Sequence, residues 1–244
     1  MCEHLPQGQT VVVIDLLPEF ECSVNESSIA LSPTQGLLLI KLAIEGEQSR
    51  TKLAASLWPD ADPFHASRQL SRTVCRILSK TGACLLRSDV DRIALADDVS
   101  VDYRAATAVA RNILGAACPP VDTDPLVVKL LAKDLLRSVS RTEVVRERKR
   151  WDRLRMLTLE KLALAHLDSS DLDRAVEIAT MAARINPVAE WPHLIIAAAS
   201  ISRGDLDRAR RAYRRYADQA HRPSDGFDDL ISFAGQLRAF ARLP

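Results

Sequence analysis

A pentapeptide that occurs twice constrains the fold of this chain more than any other feature of its sequence. The letters DLDRA run from Asp171 to Ala175 and again from Asp205 to Ala209, an offset of 34 residues. Sequences that repeat with a period of about 20 to 50 residues form stacked structural units, each burying its apolar face against the next. The second half of the chain is therefore predicted to be an array of helix pairs.

The residues around the two pentapeptides fit the tetratricopeptide repeat, whose period is about 34 residues. Ala175 and Ala209 are small residues where two helices would cross, and Gly204 occupies the turn in which the first repeat has Ser170. Two further helices are predicted before the repeats, Pro125 to Val139 and Thr142 to His166, after a linker from Gly115 to Pro125. Stacked repeats leave a concave surface, which we expect to bind a protein or peptide partner.

The first hundred residues have a different pattern, which predicts strands, three helices and a hairpin. The β-rich stretch 9–17 precedes two short strands joined by a turn at Asn25. Ser32, Ser49 and Asp62 stand where N-caps belong, and prolines follow two of them. The final hairpin is predicted to pair the segments 84–87 and 92–95.

The third helix, predicted from Pro63 to Lys80, has one apolar face and one basic face. Leu70, Val74 and Ile77 recur at helical spacing, which indicates a buried side. Arginine, glutamine and threonine on the other side suit base edges in the major groove of DNA. The DNA-contacting residues predicted on this helix are Arg68, Gln69, Arg72, Thr73, Arg76 and Lys80. Phosphate contacts are predicted for Arg50 and Lys52 at the start of the second helix, and Arg87 and Arg92 complete the set on the hairpin.

The charge distribution supports this assignment without deciding it. The formal net charge of the chain is +1, but residues 1–110 carry 10 Lys and Arg against 14 Asp and Glu. Within this acidic part, the stretch 63–88 contains five basic residues and no acid. A concentrated basic patch is an electrostatic footprint for nucleic acid. The alternative is a solvated helix face with no partner.

Sheet, three helices and hairpin resemble the winged-helix DNA-binding domain of OmpR/PhoB-type regulators, and in particular that of the SARP family of bacterial transcriptional activators. The segment LWPDAD, residues 57–62, is the most specific part of the resemblance, and Ser49, Arg50 and Leu70 also fit. The stretch 131–155 resembles the entry to the bacterial transcriptional activation domain, with Glu147 and Arg148 as its Glu-Arg pair. Family members usually carry more arginines in the third helix.

The resemblance implies a mainly α protein with two domains. Residues 1–110 would form a small α/β winged helix-turn-helix domain, and 111–244 an all-α domain of tetratricopeptide-like helical repeats. It implies a transcriptional activator that binds direct repeats in double-stranded promoter DNA, as a homodimer, and contacts RNA polymerase. The polymerase would meet the loop after the second helix, at Trp58, Asp60 and Asp62. Capping of the third helix is the alternative role for the two aspartates.

Other functions have little support in the sequence. The five cysteines form no CxxC pair, the histidines lack zinc-finger spacing, and the glycines form no phosphate-binding loop. We therefore expect no enzyme activity, no cofactor and no metal. The apolar runs are too short for a membrane span, so a cytoplasmic bacterial protein is expected. The main alternative is a tetratricopeptide adaptor of the same ancestry that has weakened or lost DNA binding.

Overall fold

The computed structural model describes residues 10–82, 85–117 and 123–221, which divide by their contacts into two units. The first unit contains the residues up to Ala105 together with Leu135–Val144. The second contains Ala106–Asp134 together with the residues from Val145 onward. A later segment of the chain thus belongs to the first unit, and the domain boundary at residue 110 stays a prediction.

The strands belong to two small sheets. They are β1 (Val12–Asp15), β2 (Glu21–Val24), β3 (Ser27–Ser28), β4 (Gln48–Ser49), β5 (Leu86–Ser88), β6 (Arg92–Leu95) and β7 (Val99–Val101). One sheet has the order β3-β2-β1-β7, with β1 and β7 parallel and the other pairs antiparallel. The other has the order β4-β6-β5, and all its pairs are antiparallel. The hairpin β5–β6 is the predicted wing, although residue 84 of the predicted strand lies outside the described residues.

Helices make up most of the rest of the described chain. They are α1 (Pro33–Glu45), α2 (Arg50–Leu57), α3 (Pro63–Thr81), α4 (Asp102–Gly115), α5 (Pro125–Leu131), α6 (Thr142–Asp168), α7 (Leu172–Ile185), α8 (Glu190–Ser202) and α9 (Leu206–Ala220). The helices α1 to α3 and the wing form a winged helix in the first unit, and α7 to α9 form the repeats in the second. The predicted fold class is confirmed.

The three helices of the winged helix begin at the N-caps that the sequence predicts. Ser32 and Gln35 form a reciprocal capping box at the start of α1, and the Ser49 hydroxyl accepts from the Lys52 amide at the start of α2. The Asp62 carboxylate caps α3, which ends where Gly82 adopts a φ of +67°. A left-handed residue of this kind favours glycine and ends a helix. These signals fix the first and last residues of α3.

A returning segment, Leu135–Val144, joins the first unit from far along the chain. The Leu136 amide donates to the Leu16 carbonyl at 3.0 Å, and the Arg137 amide donates to the Pro18 carbonyl at 2.9 Å. Leu135 and Leu136 are fully buried. The predicted helix from Pro125 to Val139 is therefore wrong beyond Leu131, because these backbone amides bond to another segment instead of continuing a helix.

The second unit contains a buried cluster around α6. Trp151 is fully buried, and its indole Nε1–H donates to the Lys133 carbonyl at 3.0 Å. The Arg155 guanidinium, 3% exposed, donates to the Ala132 carbonyl at 3.0 Å and to the Asp134 carboxylate at 2.6 Å. These bonds fasten the chain after α5 to α6.

The two repeats share their backbone hydrogen bonds as well as their sequence. The Asp171 amide donates to the His166 carbonyl at 2.9 Å, and the Asp205 amide donates to the Ser200 carbonyl at 3.0 Å. Both aspartates cap the helix that follows, and the residue before each has a positive φ, +65° at Ser170 and +77° at Gly204. The sequence repeat is thus also a structural repeat.

Ala175→Leu should destabilise the second unit. Ala175 and Ala209 are fully buried in helices that both pack against α8, so a larger side chain at residue 175 would overpack the crossing. We expect a loss of about 1 kcal/mol or more in the free energy of unfolding, measured by urea denaturation. Ala108→Leu, at an exposed position of α4, is the control. Equal stability of the two variants would contradict the proposed register.

Candidate nucleic-acid interface

The exposed face of α3 forms a cationic ridge. Arg68, Arg72 and Arg76 are exposed, each one turn from the next. The apolar residues on the opposite face, Leu70, Val74 and Ile77, are at most 4% exposed. Packing of this apolar face against the unit fixes the direction in which the arginines project.

A polar depression runs along the ridge. It has a volume of about 410 Å³ and is lined by His65, Arg68, Gln69, Arg72, Thr73 and Arg76. Within the described parts of the chain, Arg68, Arg72 and Arg76 form no ion pair with an acidic side chain. Their charge is therefore uncompensated locally, which attracts an anionic partner.

Two of the residues on α3 that were predicted to contact DNA, Thr73 and Lys80, form hydrogen bonds within the first unit. Thr73 is only 8% exposed and its hydroxyl donates to the Gln69 carbonyl at 2.8 Å, so it does not project with the arginines. The prediction that it lies on the outer face is wrong, because residue 73 borders the apolar stripe. Lys80 is exposed, but its ammonium donates to the Ala30 carbonyl at 2.6 Å. This bond ties the end of α3 to the segment before α1.

The two basic residues of α2, Arg50 and Lys52, have different surroundings. The Arg50 guanidinium donates to the Ser88 hydroxyl at 2.7 Å and to the Ser71 hydroxyl at 3.0 Å. It therefore connects α2, α3 and the wing, a positioning role that sequence spacing does not reveal. Lys52 is exposed, as a phosphate contact requires.

The wing arginines are paired with acids. Arg87 contacts Glu47 at 3.4 Å and Asp97 at 3.0 Å, and Arg92 also forms an ion pair with Glu47. The hydrogen bond from Arg92 lowers the pKa of the Glu47 carboxyl, and the same bond raises the pKa of Arg92. Glu47 is thus ionised at neutral pH and offsets part of the positive charge of the wing.

The loop before α3 carries the predicted polymerase contacts. Asp60 is exposed and Trp58 is half-buried. Asp62 caps α3: its carboxylate accepts from the amides of Phe64 and His65, each at 3.1 Å. The backbone hydrogen bond from His65 is the main cause of the lowered pKa of Asp62. Capping, one of the two roles considered for the aspartates, is therefore what the structure assigns to Asp62.

Two further residues, His65 and Phe64, lie beside the ridge and were not predicted from the sequence. His65 lines the depression and forms an ion pair with Asp62 when protonated. Phe64 is 67% exposed, and its ring lies 5.6 Å from the guanidinium carbon of Arg68. The spacing of four residues between Phe64 and Arg68 was the available signal, since residues so spaced are neighbours on a helix.

Metal-binding clusters and membrane-spanning helices are both absent from the described residues. Over 10–82, 85–117 and 123–221, no three His, Cys, Asp or Glu side chains gather in a way that could hold a metal ion. In those same ranges, no helix has the length and apolar character needed to cross a membrane.

The fold combines a winged helix-turn-helix unit and a unit of helical repeats in one chain. EmbR of Mycobacterium tuberculosis, solved in complex with a low affinity phosphopeptide, has a similar structure with a TM-score of 0.71. The similarity covers 96% of this chain and 69% of the EmbR chain at 15% sequence identity, which establishes a shared fold. No family model matches the sequence, and neither does any curated protein.

Proposed function

We propose that this protein is a sequence-specific DNA-binding transcriptional regulator that activates transcription. The observation that carries the proposal is the ridge of Arg68, Arg72 and Arg76, exposed and without acidic partners in the described residues. A packed helix with a cationic outer face fits the major groove, where arginine pairs with guanine edges in two hydrogen bonds. Gln69, exposed between the arginines, suits adenine.

The remaining parts of the chain have roles in the same proposal. Lys52 would neutralise phosphate, which fixes the position of the protein without selecting a sequence. The loop with Trp58 and Asp60 would contact RNA polymerase, and the repeats would bind a protein partner or a second copy of the chain. The shared fold with EmbR supports this arrangement of a winged helix and repeats.

The test is DNA binding by the full chain at several salt concentrations. If each protomer neutralises about five phosphates, the logarithm of the binding constant falls with the logarithm of salt concentration at a slope of about −4.5. Exchanging Arg68, Arg72 and Arg76 together for glutamine should remove sequence preference and weaken binding to the preferred duplex, because base contacts carry the preference. Fluorescence anisotropy with labelled duplexes measures both quantities.

A matched control is available on α9, which carries exposed arginines in the second unit. Exchanging Arg208, Arg211 and Arg215 for glutamine removes the same charge elsewhere in the chain. We expect this control to retain the base preference of the unaltered protein. A larger loss from the α9 exchange than from the α3 exchange would place the DNA contacts on the repeats and contradict the proposal.

A tetratricopeptide adaptor is the second candidate, and the wing favours it. Arg87 and Arg92 are engaged by Glu47 and Asp97, and Arg50 is used inside the unit. Fewer cations are then available for phosphate than the sequence suggests. At moderate salt, an adaptor of this kind would bind all duplexes with the same affinity as a random duplex. The regulator would instead bind its own site more tightly.

Glu47→Gln should strengthen DNA binding. The change removes a negative charge that pairs with Arg87 and Arg92, so Arg92 becomes available to phosphate while Arg87 keeps its ion pair with Asp97. Because the ion pairs are exposed and screened by solvent, the expected gain in affinity is modest, about threefold at most. Titration of one duplex with the variant and with the unaltered protein measures the change in affinity. Glu26→Gln, at the β2–β3 turn, is the control, and an equal gain there would show a general charge effect instead.

A further inference from the structure

The first turn of α3 presents an aromatic ring to solvent. Phe64 is 67% exposed, although it follows Pro63 in the rigid start of the helix. Its amide and that of His65 both donate to the Asp62 carboxylate at 3.1 Å. The backbone that carries the ring is therefore held by the cap.

Neighbouring side chains hold the ring itself. The guanidinium carbon of Arg68 lies 5.6 Å from the ring centroid, a cation–π contact. The His65 ring stands edge-on to it, with centroids 6.0 Å apart and an interplanar angle of 87°. Phe64 is thus the apolar end of the cationic ridge, one turn before Arg68.

The spacing along α3 relates the ring to the bases. Four residues of helix advance about 6 Å, and successive base pairs are about 3.4 Å apart. If Arg68 lies at a base edge, the Phe64 ring lies within about two base pairs of it. The N-terminal residues of a recognition helix are those that contact base edges.

We propose that Phe64 selects a thymine by contact with its 5-methyl group. This inference rests on the proposed function and deepens it. Thymine presents a methyl group in the major groove, and an aromatic ring there gains by burying it. Cytosine carries only a hydrogen atom at the same ring position, and adenine and guanine present N7 acceptors that the ring cannot hydrogen-bond, so the ring favours thymine over all three.

The experiment replaces thymine by deoxyuridine, which removes the methyl group and keeps the base pair. A preferred duplex is first selected from a random pool with the full chain. Each thymine in it is then exchanged singly for deoxyuridine, and dissociation constants are measured. Burial of one methyl group contributes about a fourfold difference in affinity, which we expect at one position.

Phe64→Ala should abolish this difference while DNA binding persists. Thymine and deoxyuridine duplexes should then bind equally at the position in question. Phe64→Leu, which keeps part of the apolar contact, should give an intermediate ratio. Leu126→Ala is the control, because Leu126 is exposed to a similar extent, 69%, on α5. It should leave the ratio at fourfold. Circular dichroism confirms that each variant is folded.

The outcomes separate this inference from the proposed function. If the full chain prefers a site but no thymine is sensitive to loss of its methyl group, the role of Phe64 is refuted and the regulator remains. A ratio that persists in Phe64→Ala refutes it also. If that variant keeps the ratio but loses activation of transcription by purified polymerase, the ring contacts the polymerase instead. Absence of any site preference in the unaltered protein removes both proposals.

Discussion

Trp151→Ala is expected to lower the free energy of unfolding of the second unit by about 3 to 5 kcal/mol. The indole is fully buried and is among the largest side chains in the core. Its removal leaves a cavity that the surrounding helices fill only in part. The change also leaves the Lys133 carbonyl without the hydrogen bond that it accepts from Nε1. Urea denaturation followed by circular dichroism measures the loss.

Trp191→Ala provides the matched control for this prediction. Trp191 is 45% exposed at the start of α8, so the same truncation removes less buried surface. We expect its cost to be less than half that of Trp151→Ala. Similar costs for the two changes would show that Trp151 does not anchor the unit in the way described.

Arg72→Ala is expected to weaken binding to the preferred DNA site by about 1 to 3 kcal/mol, or roughly 5- to 150-fold. Arg72 is exposed at the centre of the ridge, between Arg68 and Arg76, where a helix inserted in the major groove meets base edges. Loss of a contact to one guanine should also relax the preference at one base pair. Competition binding with single-base variants of the site measures both effects.

Arg211→Ala, an equal change on α9, should leave the base preference intact. Neither variant should unfold, since both side chains are exposed, and circular dichroism checks this. Full affinity and unchanged preference in a folded Arg72→Ala protein would show that α3 does not recognise the bases. The adaptor function would then be favoured.

Local signals in the sequence predicted much of the fold. Ser32, Ser49 and Asp62 cap the helices for which they were assigned, because capping depends on residues three positions apart at most. The repeat was predictable for a similar reason, since two identical pentapeptides make the same backbone bonds. The outward projection of Arg68 and Arg72 follows from the apolar stripe of α3.

Contacts between distant segments could not be predicted in this way. The pairing of Glu47 with Arg92 joins residues 45 positions apart, and no pattern in the chain indicates it. The return of Leu136 to Leu16 is longer still, and helical periodicity alone favoured continuing α5. Thr73 was misplaced because it lies at the edge of the apolar stripe, where a small rotation decides between burial and exposure.

The returning segment means that the winged helix is not a contiguous module of the gene. A truncation or fusion that cuts after residue 110 retains α3 but discards Leu135–Val144. The carbonyls of Leu16 and Pro18 would then lose the amides of Leu136 and Arg137, and apolar surface once covered by two leucines would meet water. We therefore expect an isolated winged helix to be more stable when this strip is joined back to it, for example by a short linker that replaces the intervening chain.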